Sequence, residues 1–234
     1  MALSEKTREM ALEIVARYPQ SRSALLPMLH LVQAEEGYVT AEGVEMCSDI
    51  LGITKAEVGA VATFYTMYKR RPTGEHLVSV CTNTLCGFLG GDAIYKALSD
   101  YLGVGHDQTT ADGTITLEHA ECLAACDYAP VVTVNYEFFD KQTVQSATEL
   151  VTALQEGAKP APTRGGRLTS FRDAELELAG FGDHDVPREK LESHDQIDSS
   201  LRGLHLAQER DETAPRADFD SVIPPVPPKE EAKS

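Results

Sequence analysis

Four of the five cysteines stand in two close pairs. Cys81-Thr-Asn-Thr-Leu-Cys86 holds its thiols with four residues between them, and Cys122-Leu-Ala-Ala-Cys126 with three. Paired thiolates point to a metal centre. A 2Fe-2S cluster takes four of them, two per iron, together with backbone N–H groups that stabilise its bridging sulfides. Structural zinc also takes four, although its knuckles most often leave two residues between ligands. Spacing leaves both readings open. Two disulfides would need an oxidising compartment, and the Cys-x-x-Cys of a thioredoxin-type dithiol is absent. The bland alternative is four buried structural cysteines. Cys47, the fifth, sits on a helical pattern beside Val44 and Leu51 and reads as a small buried hydrophobe.

Each pair follows a segment that reads as a strand, so a loop at a strand end would splay the two thiolates toward one place. His76-Leu-Val-Ser-Val-Cys81 is a continuous buried strand, and Thr114–Ala120 shows period-two alternation. Val131–Tyr136 is another strand, turned at Asn135-Tyr136 into a short one near Phe138. Helices are predicted over Asp92–Leu102, with Ile94, Leu98 and Tyr101 inward, and from a Thr143 cap through Leu154. This middle stretch is a small open α/β or α+β sheet with helices packed on it. Upstream, Ser4 caps a helix carrying Met10, Ile14 and Val15. A second runs from about Ser23 to Glu36 with Gly37 as its stop, and Thr40 caps a third closed by Gly52. Thr54-Lys-Ala-Glu57 is a capping box for a fourth helix reaching Tyr68. His119 shares its strand face with Ile115 and Leu117, two residues before Glu121-Cys122, as a core-edge histidine or a donor near the sulfurs.

The chain has 234 residues, with 21 Lys and Arg against 37 Asp and Glu, for a net charge of −16. That balance weighs against a stand-alone nucleic-acid binder and suits docking on basic partners. A DNA-reading helix-turn-helix over 40–68 is the sharp alternative for the fourth helix, whose Val, Ala, Phe and Tyr suit packing better than base edges. Lys69-Arg70-Arg71 reads as a solvated helix end. No run of eighteen apolar residues is present, and the first ten residues carry charges where a signal peptide would be apolar. No Ser/His/Asp set, paired carboxylate site or phosphate-cradling loop stands out, so no catalytic residue is expected. Composition divides the chain into 1–75, helical; 76–159, with 3 basic and 11 acidic side chains; and 160–234, an acidic extension holding 8 of the 12 prolines. The last is expected to be largely irregular, with weak helical patches around 170–179 and 188–207, ending in the extended Ile223–Pro228 segment.

Over residues 5–157 the sequence resembles the 24-kDa-type 2Fe-2S subunits of bacterial respiratory NADH:quinone oxidoreductase (complex I). The resemblance rests on Gly37-Tyr-Val39, Val61-Ala-Thr-Phe-Tyr-Thr-Met-Tyr68, Cys81-x4-Cys86-Gly87 and, most specifically, Glu121-Cys-Leu-Ala-Ala-Cys-Asp-Tyr-Ala-Pro-Val-Val-Thr-Val-Asn135. It implies an α+β fold: an N-terminal helical bundle, then a thioredoxin-like ferredoxin domain. It implies one 2Fe-2S cluster held by Cys81, Cys86, Cys122 and Cys126, and no substrate pocket in this chain. The implied partners are the flavoprotein subunit that binds FMN and NADH and the large iron–sulfur subunit, on the cytoplasmic side of the inner membrane without direct membrane insertion. The chain would be an electron-carrying subunit of the translocase. The equivalent subunit of an NAD-linked hydrogenase or formate dehydrogenase is an alternative, and a zinc-stabilised helix-turn-helix regulator is another of a different class. Two positions depart from the family pattern. Ala124 stands where Gly is common, with less backbone freedom, and Leu85 stands where a smaller residue or Pro is common.

Overall fold

A computed structural model describes residues 3–164, 167–182 and 198–212. The chain divides into two compact units, Met1–Gln196 and Ile197–Ser234. In the second, the described structure centres on one helix, Asp198–Glu209. The Ile223–Pro228 segment and the 188–197 part of the second helical patch lie outside the described residues.

The first unit opens with four helices, α1 (Glu5–Ala16), α2 (Leu25–Glu36), α3 (Ala41–Leu51) and α4 (Lys55–Phe64). Their starts are local: the hydroxyls of Ser4, Thr40 and Thr54 accept from the backbone N–H three residues on, and Glu57 completes the capping box at α4. α2 is the central member, burying Leu25, Met28, Leu29, Leu31, Val32 and Gln33. Cys47 lies fully inside this core, and burial pushes its thiol up to about 12. α4 stops at Phe64, short of the expected Tyr68, because Tyr65 turns extended. That turn tucks Tyr68 inward, where its hydroxyl donates to Leu26 O at 3.0 Å. Lys69, read above as a solvated helix end, is buried.

The sheet has the order β2-β3-β1-β4-β5. Its strands are β1 (His76–Cys81), β2 (Gln108–Thr109), β3 (Ile115–Ala120), β4 (Val132–Val134) and β5 (Glu137–Phe139). β1 and β3 run parallel, and the other pairings are antiparallel. Asn135 and Tyr136 both take positive φ, which makes the expected tight turn from β4 into β5. Between β1 and β2 lie a short helix, α5 (Thr84–Phe88), which periodicity did not anticipate, and α6 (Gly91–Leu102). α7 (Val144–Gln155) follows β5. One sheet face, with Val78, Val80, Ile115, Leu117, Val132 and Val134, packs against Ile94 and Leu98 of α6 and Ala147, Val151 and Leu154 of α7. Tyr101, expected inward, is half exposed, one turn beyond Leu98 at the end of α6.

Within the extension after residue 160, the helical patch expected around 170–179 is present, and it packs on the fold. Arg164 bridges to Phe138 at the sheet edge. α8 (Phe171–Leu178) then docks along α2, with Phe171 and Glu175 fully buried. Few apolar residues suffice there because polar groups are paired. Glu175 accepts from Gln33 Nε2 at 2.8 Å and the Tyr136 hydroxyl at 2.7 Å, and it meets His30 Nδ1 at 2.6 Å. These contacts join α2, α8 and the β4–β5 turn.

Candidate metal centre

The parallel β1–β3 pairing sets Cys81 opposite Ala120. The two cysteine loops therefore leave neighbouring strands at the same end of the sheet. Cys81 closes β1 with its N–H donating to Val131 O at 3.0 Å. Three residues on, α5 turns Cys86 back beneath it, and both are buried. Gly91, at the start of α6, makes this turn possible: a Cβ there would stand 2.3 Å from Cys81 O and 2.9 Å from Cys86 O. From β3, the chain passes Glu121 and Cys122 and makes a left-handed kink at Ala124, φ 57°. That conformation favours Gly, so the departure at this position carries backbone strain. The kink aims the Ala124 N–H at Cys122 Sγ, 3.4 Å away. Cys126 then begins a single 3-10 turn through Tyr128. Cys122 and Cys126 are exposed.

Ala125 and Val131 pack with Cys81 and Cys86, and Leu123, Ala129 and Phe138 close around them. Burial pushes the Cys86 thiol up to about 11, reinforced by its hydrogen bond to Cys81 and by the nearby Cys81 and Cys126 sulfurs. Cys126, exposed as a residue, is likewise raised, first by partial desolvation of its thiol and then by Cys122, Cys81 and Asp127. Cys81, Cys86 and Cys126 thus lie within electrostatic reach of one another, and Cys122 within reach of Cys126. Two irons, each taking two thiolates, suit a paired arrangement, and cationic iron would supply the charge that such mutually repelling thiolates need.

Two supporting features escaped the sequence reading. Arg164 grips the buried Asp140 through Nε at 2.9 Å and Nη2 at 2.7 Å. Its guanidinium also lies 5.2 Å from the Tyr128 ring centre and 3.9 Å from Asp127, beside Cys126. The apolar rim is the second: Leu85, Phe88 and Leu89 are exposed on and just after α5, with Phe88 87 % exposed. His119 does not reach the sulfurs. It is exposed at the end of β3, its ring 4.2 Å from that of His106 and edge-on to Tyr95.

Residues 11–155 match the thioredoxin-like 2Fe-2S ferredoxin family. The chain belongs to that family. As a thioredoxin-like 2Fe-2S ferredoxin, its cofactor is one 2Fe-2S cluster, and the zinc-regulator alternative is set aside. The chain is 57 % identical over 205 residues to an NADH-quinone oxidoreductase subunit of Mycobacterium bovis, covering 88 % of this chain and 80 % of that protein. It is 35 % identical to NADH-quinone oxidoreductase subunit 2 of Thermus thermophilus, covering 74 % and 91 %. Among solved structures, a chain of the NAD+-reducing NiFe-hydrogenase in the air-oxidized state aligns with a TM-score of 0.51 at 20 % identity. That alignment covers 57 % of this chain and 23 % of the hydrogenase chain, and it speaks to the fold alone. No helix among the described residues is long and apolar enough to cross a membrane.

Proposed function

We propose that this thioredoxin-like ferredoxin is the electron-transfer subunit of an NADH:quinone oxidoreductase. Cys81, Cys86, Cys122 and Cys126 hold its cluster, which exchanges electrons with FMN on the partner NADH-binding flavoprotein. The observation that carries the reading is the placement of two cysteine pairs on adjacent loops at one end of the β1–β3 ladder. The naming of the relatives as NADH-quinone oxidoreductase subunits supports the choice of complex. The bound cluster supplies one-electron storage. The protein supplies the rest. Cys81 and Cys86 keep one side of the site dry, Cys122 and Cys126 lie at the surface, and the rim of Leu85, Phe88 and Leu89 gives a partner an apolar landing around them. A net charge of −8 over residues 76–159, from 3 basic and 11 acidic side chains, favours a basic surface on that partner. The large iron–sulfur subunit completes the path to quinone, and the assembly lies on the cytoplasmic face of the inner membrane.

Replacing each cysteine by Ala tests the ligand set. The full chain, purified anaerobically, should carry about two irons and two sulfides. Each of the four replacements should strip or destabilise them, and Cys47→Ala should not. A protein that takes zinc and no iron on anaerobic reconstitution would refute the reading. Isolation of the native complex identifies the setting: a quinone-reducing assembly supports it, and a hydrogenase or formate dehydrogenase selects the alternative.

A further inference from the structure

The sheet face that carries Cys81 also carries a buried charge cluster that the cysteine site does not use. Ser79 precedes Cys81 by two residues, so it shares that face about 7 Å back along β1. Its partner across the ladder is Glu118. Glu118 is therefore the diagonal neighbour of Cys81, about 8 Å away between backbone positions. The Ser79 hydroxyl donates to Glu118 Oε1 at 2.6 Å, and Lys69 Nζ contacts Glu118 Oε2 directly. The Lys69 and Glu118 side chains are only 9 % and 14 % exposed. Asp107, more open at 48 %, lies 3.7 Å from the same ammonium. Lys69 is held from behind, since its backbone N–H donates to the buried Gln33 Oε1. Neither charge of the pair can swing into solvent without breaking these contacts.

We infer that Glu118, clamped by Lys69 and Ser79, tunes the reduction potential of the cluster. Reduction adds a negative charge at the cysteine loops. A fixed carboxylate nearby opposes that charge, and a fixed ammonium favours it. Burial weakens the screening that would cancel the effect at the surface. At separations near 10 Å and an effective dielectric of about 20, one unit charge changes the reduction equilibrium on the order of tenfold. That is about 59 mV for a one-electron couple. Glu118 and Lys69 are positioning residues here, acting through the field and not as ligands. The inference rests on the four-cysteine reading above.

The test is a reductive titration of the iron-loaded full chain, anaerobic and at pH 8, followed by the cluster's own spectrum. Glu118→Gln keeps the shape and the acceptor for Ser79, and it should raise the midpoint by on the order of tenfold in the equilibrium. Lys69→Gln should move it the other way. Opposite signs separate charge from loosening, which would move both variants alike. Glu149→Gln, exposed on α7 across the sheet, should leave the midpoint unchanged. A Glu118→Gln protein with about two irons and a midpoint within about twofold of the parent overturns the inference, as do shifts of one sign in both variants. Should Glu118→Gln fail to fold, Asp107→Asn decides. Asp107 has a φ of 54°, which Asn tolerates, and removing its charge should raise the midpoint by about twofold; no change overturns the inference. A parent chain without iron would instead defeat the ligand assignment, so the two failures are distinguishable.

Discussion

Phe171→Ala is the sharpest probe of whether the segment after residue 160 belongs to the fold. The ring is fully buried at the first turn of α8, 6.4 Å from the Tyr136 ring, and its N–H donates to Glu75 O at 2.8 Å. Leu168 and Ala174 are buried to either side in sequence. Truncating a buried Phe to Ala removes its transfer free energy and leaves a cavity, together about 3–5 kcal/mol. Against a total stability of about 5–15 kcal/mol, that loss is large. At about 2–4 °C per kcal/mol for a chain of this size, the thermal midpoint should fall by about 6–20 °C. Circular dichroism on heating reads the midpoint, and hydrogen exchange across 171–178 reads whether α8 is released. Leu206→Ala, on the helix Asp198–Glu209 and 42 % exposed, is the control and should stay within about 0.5 kcal/mol. If Phe171→Ala is equally silent, and amides of 171–178 in the parent exchange as fast as unstructured chain, α8 is no part of the stable unit.

Gly91→Ala should push the Cys81 and Cys86 backbones apart, at a cost of about 1–3 kcal/mol, and lower the iron retained per chain; full iron content with an unchanged midpoint would contradict the close approach. His76 is held below its usual value by burial first, with Lys159 adding to the effect and Glu75 opposing it. Its folded pKa thus lies below its unfolded value of about 6.5. Its contribution to stability is full above about pH 6.5 and is lost as pH falls below that toward the folded value. Urea unfolding of the parent and of His76→Gln should diverge on this schedule, and parallel pH profiles would refute it.

Much of this protein is written locally. Thr54 with Glu57, Thr143 and Ser4 announce helix starts because a capping hydroxyl needs only the next three residues. The run His76–Cys81 announces a buried strand because four of its six residues are apolar and none is Asp, Glu, Lys or Arg. The cysteine pairs are equally legible, since a loop of three or four intervening residues limits where two thiols can go. The remaining features depend on partners far along the chain. Alternation puts His119 on the face of Leu117 but does not say that it ends exposed, between the rings of Tyr95 and His106. Lys69 looks like a solvated helix end until Glu118, 49 residues later, meets it. The segment after 160 is poor in apolar residues, and its order comes from where a few side chains land: Phe171 beside the Tyr136 ring of the β4–β5 turn, Glu175 against His30 across 145 residues of sequence. The parallel register of β1 on β3 brings Cys81 beside the Cys122 loop. Each pair's spacing is a property of short chain geometry, whereas the meeting of the pairs is a property of the sheet.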